Sequence, residues 1–229
     1  MKLTFNKGYL CCGCKRRYGE RGFSYKYNEM CVCKRCFGKF KSYSDEAYFD
    51  VSDNVEFLVS AFHYKSAYRQ IFLDFKFNGQ LAYGHVLGMA ISDALKTRDV
   101  FSDYDYIVPV PISKERLAER GYNQSEVLAG YISETLDIPM RNALIRIKHS
   151  APQSTVHTSM RAENVKGAYK TTEKFNGENV IIFDDICTTG STVTECAKTL
   201  KKAGAGKICV ISGAYNVQQW IDRTIHRFI

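Results

Sequence analysis

Two carboxylates, a run of small hydroxyl residues and two cysteine pairs carry the chemistry legible in this chain. Asp184 and Asp185 stand side by side, and Thr188, Thr189, Gly190, Ser191 and Thr192 follow two residues later. A hydroxyl-rich turn opening onto a helix offers unpaired N–H groups, hydroxyl donors and the positive end of the helix dipole, which together accept a phosphate. Gly190 lets the backbone come close to that anion. The carboxylates would repel it, so their partners lie elsewhere. Vicinal ribose hydroxyls suit them, because such hydroxyls donate to carboxylates and also ligate a divalent cation. The pattern reads as a site for a phosphorylated sugar. The competing reading is a surface turn whose Asp and Thr residues only cap a helix, and the order of the flanking elements speaks against it.

Six of the nine cysteines fall within residues 11–36. Cys11-x-x-Cys14 and Cys33-x-x-Cys36, eighteen residues apart, have the spacing of a four-cysteine zinc site. Cys12 and Cys31 are left over, and either could replace a named ligand. So small a segment buries too little to fold unaided, so metal binding, worth roughly 10–16 kcal/mol apparent, would supply the folding energy. Disulfides are the alternative, which a cytoplasmic chain disfavours.

The elements that must hold these groups follow from the apolar pattern. Residues 180–183 are a continuous apolar run, as in a strand buried on both faces of a parallel sheet. The helix after the hydroxyl turn has Val193, Cys196, Ala197 and Leu200 on one face, and Thr192 with Glu195 has capping-box spacing. Residues 106–110 predict a second buried strand, closed by Pro109 and Pro111. Residues 56–64 predict a strand or hairpin arm. Residues 66–77 and 81–95 show helical spacing interrupted at Asn78-Gly79, and residues 124–136 form a further helix capped by Asn123. Residues 143–147 predict a short strand, residues 207–213 a last core strand and residues 218–228 an amphipathic tail helix. Residues 113–123 read as a loop turning sharply at Gly121. Residues 148–164 have no period and are too long for an idle connection. Cys187, Cys196 and Cys209 read as small hydrophobes. The expected organisation is a cysteine module over residues 1–43, a polar linker over 44–54 and an α/β domain over 55–229.

The chain has 229 residues and a formal net charge of +8. Residues 1–50 hold eleven Lys or Arg against five Asp or Glu, so most of the excess sits on the small module. Aromatic residues are interleaved with these cations, a mixture that suits single-stranded nucleic acid through phosphate neutralisation and base stacking. A solvated charged face over a small aromatic core explains the same composition. No apolar stretch approaches the roughly 20 residues of a membrane span, and the N-terminus lacks the apolar core of a signal peptide. A cytoplasmic protein with no membrane insertion is the expectation.

Residues 179–192 resemble the phosphoribosyl pyrophosphate (PRPP) motif of type I phosphoribosyltransferases. From about Cys11 to Tyr215 the chain resembles the ComF competence-protein family, amidophosphoribosyltransferase-like proteins associated with natural transformation. The resemblance implies an α/β fold: a type I phosphoribosyltransferase-like parallel sheet flanked by helices, with a small N-terminal zinc module. It also implies PRPP and Mg²⁺ as ligands. Val108-Pro109-Val110-Pro111, Arg116 and Arg120-Gly121-Tyr122-Asn123-Gln124 match a family signature, with Tyr122 in place of Phe. Arg116 and Arg120 would clamp pyrophosphate, since guanidinium binds such anions bidentately. Lys76 matches a family lysine that reaches substrate phosphate, though a surface lysine at a helix end is equally consistent. Arg146, Gln153, Arg161 and Asn164 match a further pattern, within the segment where related enzymes carry a hood over the substrate. Single-stranded DNA and competence-machinery proteins such as a DNA-uptake helicase are the implied partners. A nucleotide-salvage transferase and a non-catalytic DNA-binding module are the alternatives.

Overall fold

Leu10, Cys11, Met30 and Cys31 open the chain's first sheet, and their pairing brings the two cysteine knuckles together. The computed structural model describes residues 8–40, 42, 49–148 and 165–216. In the cysteine module β1 (Tyr9–Cys11), β2 (Arg17–Tyr18), β3 (Phe23–Tyr27) and β4 (Met30–Cys33) form a sheet of order β2-β1-β4-β3, followed by the single turn α1 (Lys34–Phe37). This sheet does not stand apart. Cys11, Cys12, Cys31, Val32, Cys33 and Cys36 belong to the same buried cluster as Tyr68, Ile71, Phe72 and Phe75 of the larger domain.

That domain begins with β5 (Leu58–His63), α2 (Ser66–Phe77) and α3 (Leu81–Leu95). The helices have the extents that their periodicity predicts. β5 is an edge strand of the main sheet rather than a hairpin arm, running parallel to its neighbour. α3 carries Gly84 and Gly88 one turn apart. A Cβ would lie 2.4 Å from the Phe75 ring at the first and 2.3 Å from the Tyr131 ring at the second, so both positions require glycine for the helices to close up.

Next come β6 (Tyr106–Pro109), α4 (Lys114–Arg120) and α5 (Gln124–Leu136). α4 occupies the stretch expected to be a loop. Ser113 caps it by accepting from the Arg116 N–H, and Gly121 ends it at φ 79°, a left-handed conformation that favours glycine. Asn123 caps α5 as expected, accepting from the Ser125 N–H. β7 (Leu144–Arg146) then pairs with β8 (Tyr169–Thr171), an antiparallel partner that the sequence pattern did not mark.

β9 (Val180–Cys187), α6 (Ser191–Lys202) and β10 (Ile208–Tyr215) complete the described chain. The main sheet has the order β5-β10-β9-β6, and every neighbouring pair in it is parallel. β9 and β10 are near-continuous apolar runs buried on both faces, which is why they occupy its centre. The outer edge of β6 is covered by the Pro139–Arg141 backbone, with Ile107 donating to the Pro139 carbonyl and accepting from Arg141 N–H. All four strands end on one side, so the residues around Pro109, Cys187, His63 and Tyr215 lie at the carboxyl edge of the sheet, the usual ligand position in such sheets. Among the described residues no helix is long and apolar enough to cross a membrane. The tail helix expected at residues 218–228 lies outside the described residues, as do Gln153, Arg161 and Asn164.

Candidate functional site

β9 runs on through the acidic pair, so Asp184 and Asp185 are strand residues rather than residues beyond its end. Alternation therefore separates them. Asp184 is 8% exposed, while Asp185 is half-buried with Oδ1 accepting from the Ile186 N–H at 2.6 Å. Ser125, in the first turn of α5, joins the pair. Its hydroxyl lies 3.5 Å from Asp184 Oδ1 and accepts from the Asp185 N–H at 3.2 Å. Burial raises the Asp184 carboxyl well above the ordinary carboxylate range, and the Asp185 charge adds to this while Lys76 opposes it. Asp184 is thus a buried acid that gains from any donor or cation entering the crevice.

Asp184 lines a cavity of about 30 Å³ together with the Cys187–Val193 turn. That volume holds roughly two waters or the head of a small anion. Within the turn the Thr189 and Ser191 hydroxyls lie 2.9 Å apart, and Ser191 N–H donates to Thr189 Oγ1. The N-cap of α6 is Gly190 at φ 71°, with no side-chain cap. The expected Thr192–Glu195 capping box does not form. Glu195 instead accepts from the Gly167 N–H at 2.7 Å, which ties α6 to the segment leading into β8. With no side chain on the N-cap, N–H groups of the first turn other than that of Ser191 are left for an anion in the cavity.

Cations gather around this crevice from several elements. Burial lowers the Arg116 guanidinium below its ordinary range, and the neighbouring Arg120 and Arg146 add to the effect, so three arginines share one field. Arg120 donates to Gln124 Oε1 at 3.0 Å and lies over the Phe77 ring, as does Lys76. Arg146 donates to Tyr169 Oη at 3.1 Å. Burial raises the Tyr169 phenol, with Cys196 and Asp184 adding to this and Arg146 and the Thr192 hydroxyl opposing it. The fold therefore brings Asp184, Asp185, the hydroxyl turn, Lys76, Arg116, Arg120 and Arg146 to one region. Sequence reasoning missed Ser125 and Tyr169, which link these groups. Ser125 was visible only as the residue after a helix cap, and Tyr169 lay in an unrecognised strand.

The module presents a second candidate site. One sulfur from each of Cys11, Cys14, Cys33 and Cys36 lies within 4.8 Å of the others, so the four can hold one metal ion. Cys33 N–H donates to Cys11 Sγ and Cys36 N–H to Cys33 Sγ, both at 3.4 Å. Burial opposes ionisation of Cys14, but hydrogen bonds from Tyr18 and from the Arg16 backbone bring its thiol down to about 6. Burial instead pushes Cys12 and Cys31 up to about 12, and both lie outside the cluster. The alternative ligands are hydrophobic core residues. The module's rings are also engaged: Tyr9, Tyr18, Phe23, Tyr25, Tyr27 and Phe37 pack against the shared core. Arg16, Arg17, Arg21, Lys34, Arg35 and Lys39 remain exposed.

The family profile described as the phosphoribosyl transferase domain matches residues 123–224. The chain is 29% identical over 218 residues to Competence protein F of Haemophilus influenzae, which covers 91% of each protein. It is 31% identical over 147 residues to Competence protein ComFC of Bacillus subtilis, covering 63% of this chain and 58% of that one. It is 36% identical over 107 residues to the DNA utilization protein YhgH of Escherichia coli, covering 46% and 47%. A parallel sheet carrying the acidic pair and hydroxyl turn, set behind a four-cysteine cluster, agrees with these matches: the chain is similar to competence and DNA-utilization proteins, and it contains a phosphoribosyltransferase-type domain.

Proposed function

We propose that this protein binds PRPP at the crevice between β9, α4 and α6 and serves the handling of DNA taken up by the cell, in the cytoplasm. The observation that carries the first part is the placement of buried Asp184 in one cavity with the hydroxyl turn. In this reading the turn and the α6 N-terminus hold the 5′-phosphate. Asp184 and Asp185 accept from the ribose hydroxyls, and Ser125 holds both in register. Lys76, Arg116, Arg120 and Arg146 receive the pyrophosphate, with Gln153, Arg161 and Asn164 as further candidates from the segment between β7 and β8. The hard oxygen donors of the acidic pair and of the ligand fit Mg²⁺. When bound, the cation supplies charge that neutralises the pyrophosphate. Positioning and electrostatics are what the protein contributes, because departure of pyrophosphate leaves a sugar cation that needs fixed partners more than a base.

Titration calorimetry with PRPP and Mg²⁺ tests this on the folded, metal-loaded chain. Saturable binding is expected, weakened at least tenfold in Asp184→Asn and in Thr192→Val. No heat of binding, or unchanged affinity in both variants, overturns the reading.

The four-sulfur cluster fits zinc, whose bonds of about 2.3 Å to tetrahedral sulfurs place those sulfurs roughly 3.8 Å apart. Cys14 and Cys33 are already separated by 3.9 Å. The exposed cations of this module favour single-stranded DNA as its partner, a reading that agrees with the names of the competence and DNA-utilization relatives. With the rings packed against the core and only partly exposed, phosphate contacts dominate, so affinity should fall steeply with salt and Arg16, Arg17 and Lys34 should carry it. If neutralising these three leaves DNA binding intact, the module docks a protein of the uptake machinery, such as its helicase, instead.

A further inference from the structure

We propose that the exposed Phe77 ring is a stacking contact for one base of single-stranded DNA, and that its two flanking cations make DNA and PRPP exclude each other. The stacking half rests on the reading of the module as a DNA-binding surface, and the exclusion half on the PRPP reading. Phe77 closes α2, whose Tyr68, Ile71, Phe72 and Phe75 already fill the inward face. Two residues past Phe75, Phe77 falls on the outward face and is 56% exposed, the most of any large apolar side chain among the described residues. Core packing therefore gives no reason for an aromatic ring there. A singly exposed apolar residue needs no explanation, but this ring is not alone. Lys76 Nζ lies 5.8 Å from its centroid and the Arg120 guanidinium carbon 5.4 Å. An exposed ring beside two cations is the combination that holds a single strand, since the ring face stacks on any base and the cations take the adjoining phosphates.

The position of this ring joins it to the exposed cations of the module. Lys15 Nζ pairs with Asp74 Oδ2 at 2.5 Å, and Asp74 stands about one turn before Phe77. Arg16 and Arg17, both exposed, follow Lys15 directly. The same ion pair neutralises the one acid of α2, a carboxylate that would otherwise repel the strand. The module's rings are packed against the core, whereas Phe77 turns outward, so it supplies the open stacking face.

Lys76 and Arg120 also serve the sugar-phosphate crevice. The Lys76 charge acts on Asp184, and the Arg120 charge acts on Arg116. Arg120 spends one N–H on Gln124 Oε1 and keeps further donors of its planar fork for an oxyanion. Each cation thus stands between two anion positions, the pyrophosphate in the crevice and a DNA phosphate beside Phe77. Two phosphates drawn to one pair of cations also repel each other. Filling either position therefore lowers affinity at the other, and by the same factor in both directions.

The test is fluorescence anisotropy with a labelled deoxyadenosine strand of about a dozen nucleotides on the full metal-loaded chain. Phe77→Ala should weaken the strand about fivefold or more, the loss of one stacked base, and Phe77→Trp should restore it. The position faces solvent, so both variants should keep the wild-type melting temperature. A strand of the same length lacking its bases should bind wild type and Phe77→Ala alike, an equality that a merely structural effect would not give. Equal affinity of wild type and Phe77→Ala for the base-bearing strand overturns the stacking contact. When that equality comes with loss of binding on neutralising Arg16, Arg17 and Lys34, the contact alone falls. If wild type binds no strand at all, the DNA reading of the module falls with it. Displacement of the strand by deoxyadenosine monophosphate at equal phosphate concentration assigns the ring to mononucleotides and overturns the strand as its occupant.

Saturating PRPP with Mg²⁺ should raise the Kd of the strand roughly tenfold, and the strand should raise that of PRPP by the same factor. Lys76→Gln should weaken both ligands and shrink the factor. Strand affinity indifferent to PRPP that calorimetry shows to be bound overturns the exclusion. Absence of any PRPP binding overturns it together with the PRPP reading, while the Phe77 comparison still decides the stacking.

Discussion

Asp184 is the residue whose energetics are most exposed to experiment. Burial favours its protonated form in the folded chain, so the folded state holds this proton more tightly than the unfolded state does. The sign follows: below about pH 3.9 both states are protonated, and as pH rises the unfolded chain ionises first, so Asp184 subtracts from stability by up to about 1.4 kcal/mol per pH unit until its raised folded pKa is passed. Thermal melts of the ligand-free chain from pH 4 upward should show Asp184→Asn gaining on the parent as pH rises. A difference independent of pH would place the carboxylate in solvent. Gly190 makes a second prediction at this scale. It sits at φ 71°, and a Cβ there would lie 3.2 Å from Val51 Cγ1. Gly190→Ala should cost about 1–2 kcal/mol in a denaturant titration, from the left-handed backbone alone. It should also weaken PRPP binding by widening the turn.

At the scale of elements, α3 is the hinge of the molecule, because it touches the module, α2 and α5. His85 shows how. Its ring stacks on Tyr27 of β3 at 3.8 Å, and its Nδ1 is hydrogen-bonded to the Tyr131 hydroxyl of α5. Burial lowers its pKa below the ordinary histidine value, so the unfolded chain takes up the proton first. Its contribution to stability is complete above about pH 6.5 and is lost as pH falls through the lowered folded value. The melting temperature should therefore decline below pH 6.5, and His85→Gln should flatten that part of the profile. An unchanged slope in the variant would assign the decline to other groups. α4 is instructive in another way. It presents Arg116 and Arg120 on one short helix, one turn apart, where a loop would have left their spacing to chance.

On the scale of the whole chain, the module and the sheet domain share one buried cluster, and polar contacts reinforce the join. Lys15, next to Cys14, pairs with Asp74 of α2 at 2.5 Å and donates to Tyr83 of α3 at 3.0 Å. Tyr25 of β3 donates to Asp93 of α3 at 2.8 Å. Metal loss should therefore be felt everywhere. Chelation is expected to lower the melting temperature by roughly 10 °C or more in a single transition, with near- and far-ultraviolet circular dichroism changing together. Two separate transitions, the larger one unmoved by chelator, would mean that the domain folds independently of the module.

How much of this was legible beforehand depends on how local the signal is. Helical spacing over α2, α3 and α5 located those elements, because each burial pattern is written in residues three and four apart. The apolar runs of β9 and β10 likewise announced a parallel sheet. The cysteine spacing located the four-sulfur cluster in the same way. α4 escaped because seven residues are too few to show a period, and β8 because three residues show no alternation. Which face of β9 Asp184 takes, which cysteines fall outside the cluster, and that Ser125 and Tyr169 tie the crevice together were decided by folding alone. Ser125 and Asp184 are 59 residues apart in the chain, and Arg146 and Tyr169 are 23 apart. Contacts of that range come from packing many elements at once, which no stretch of neighbouring residues records.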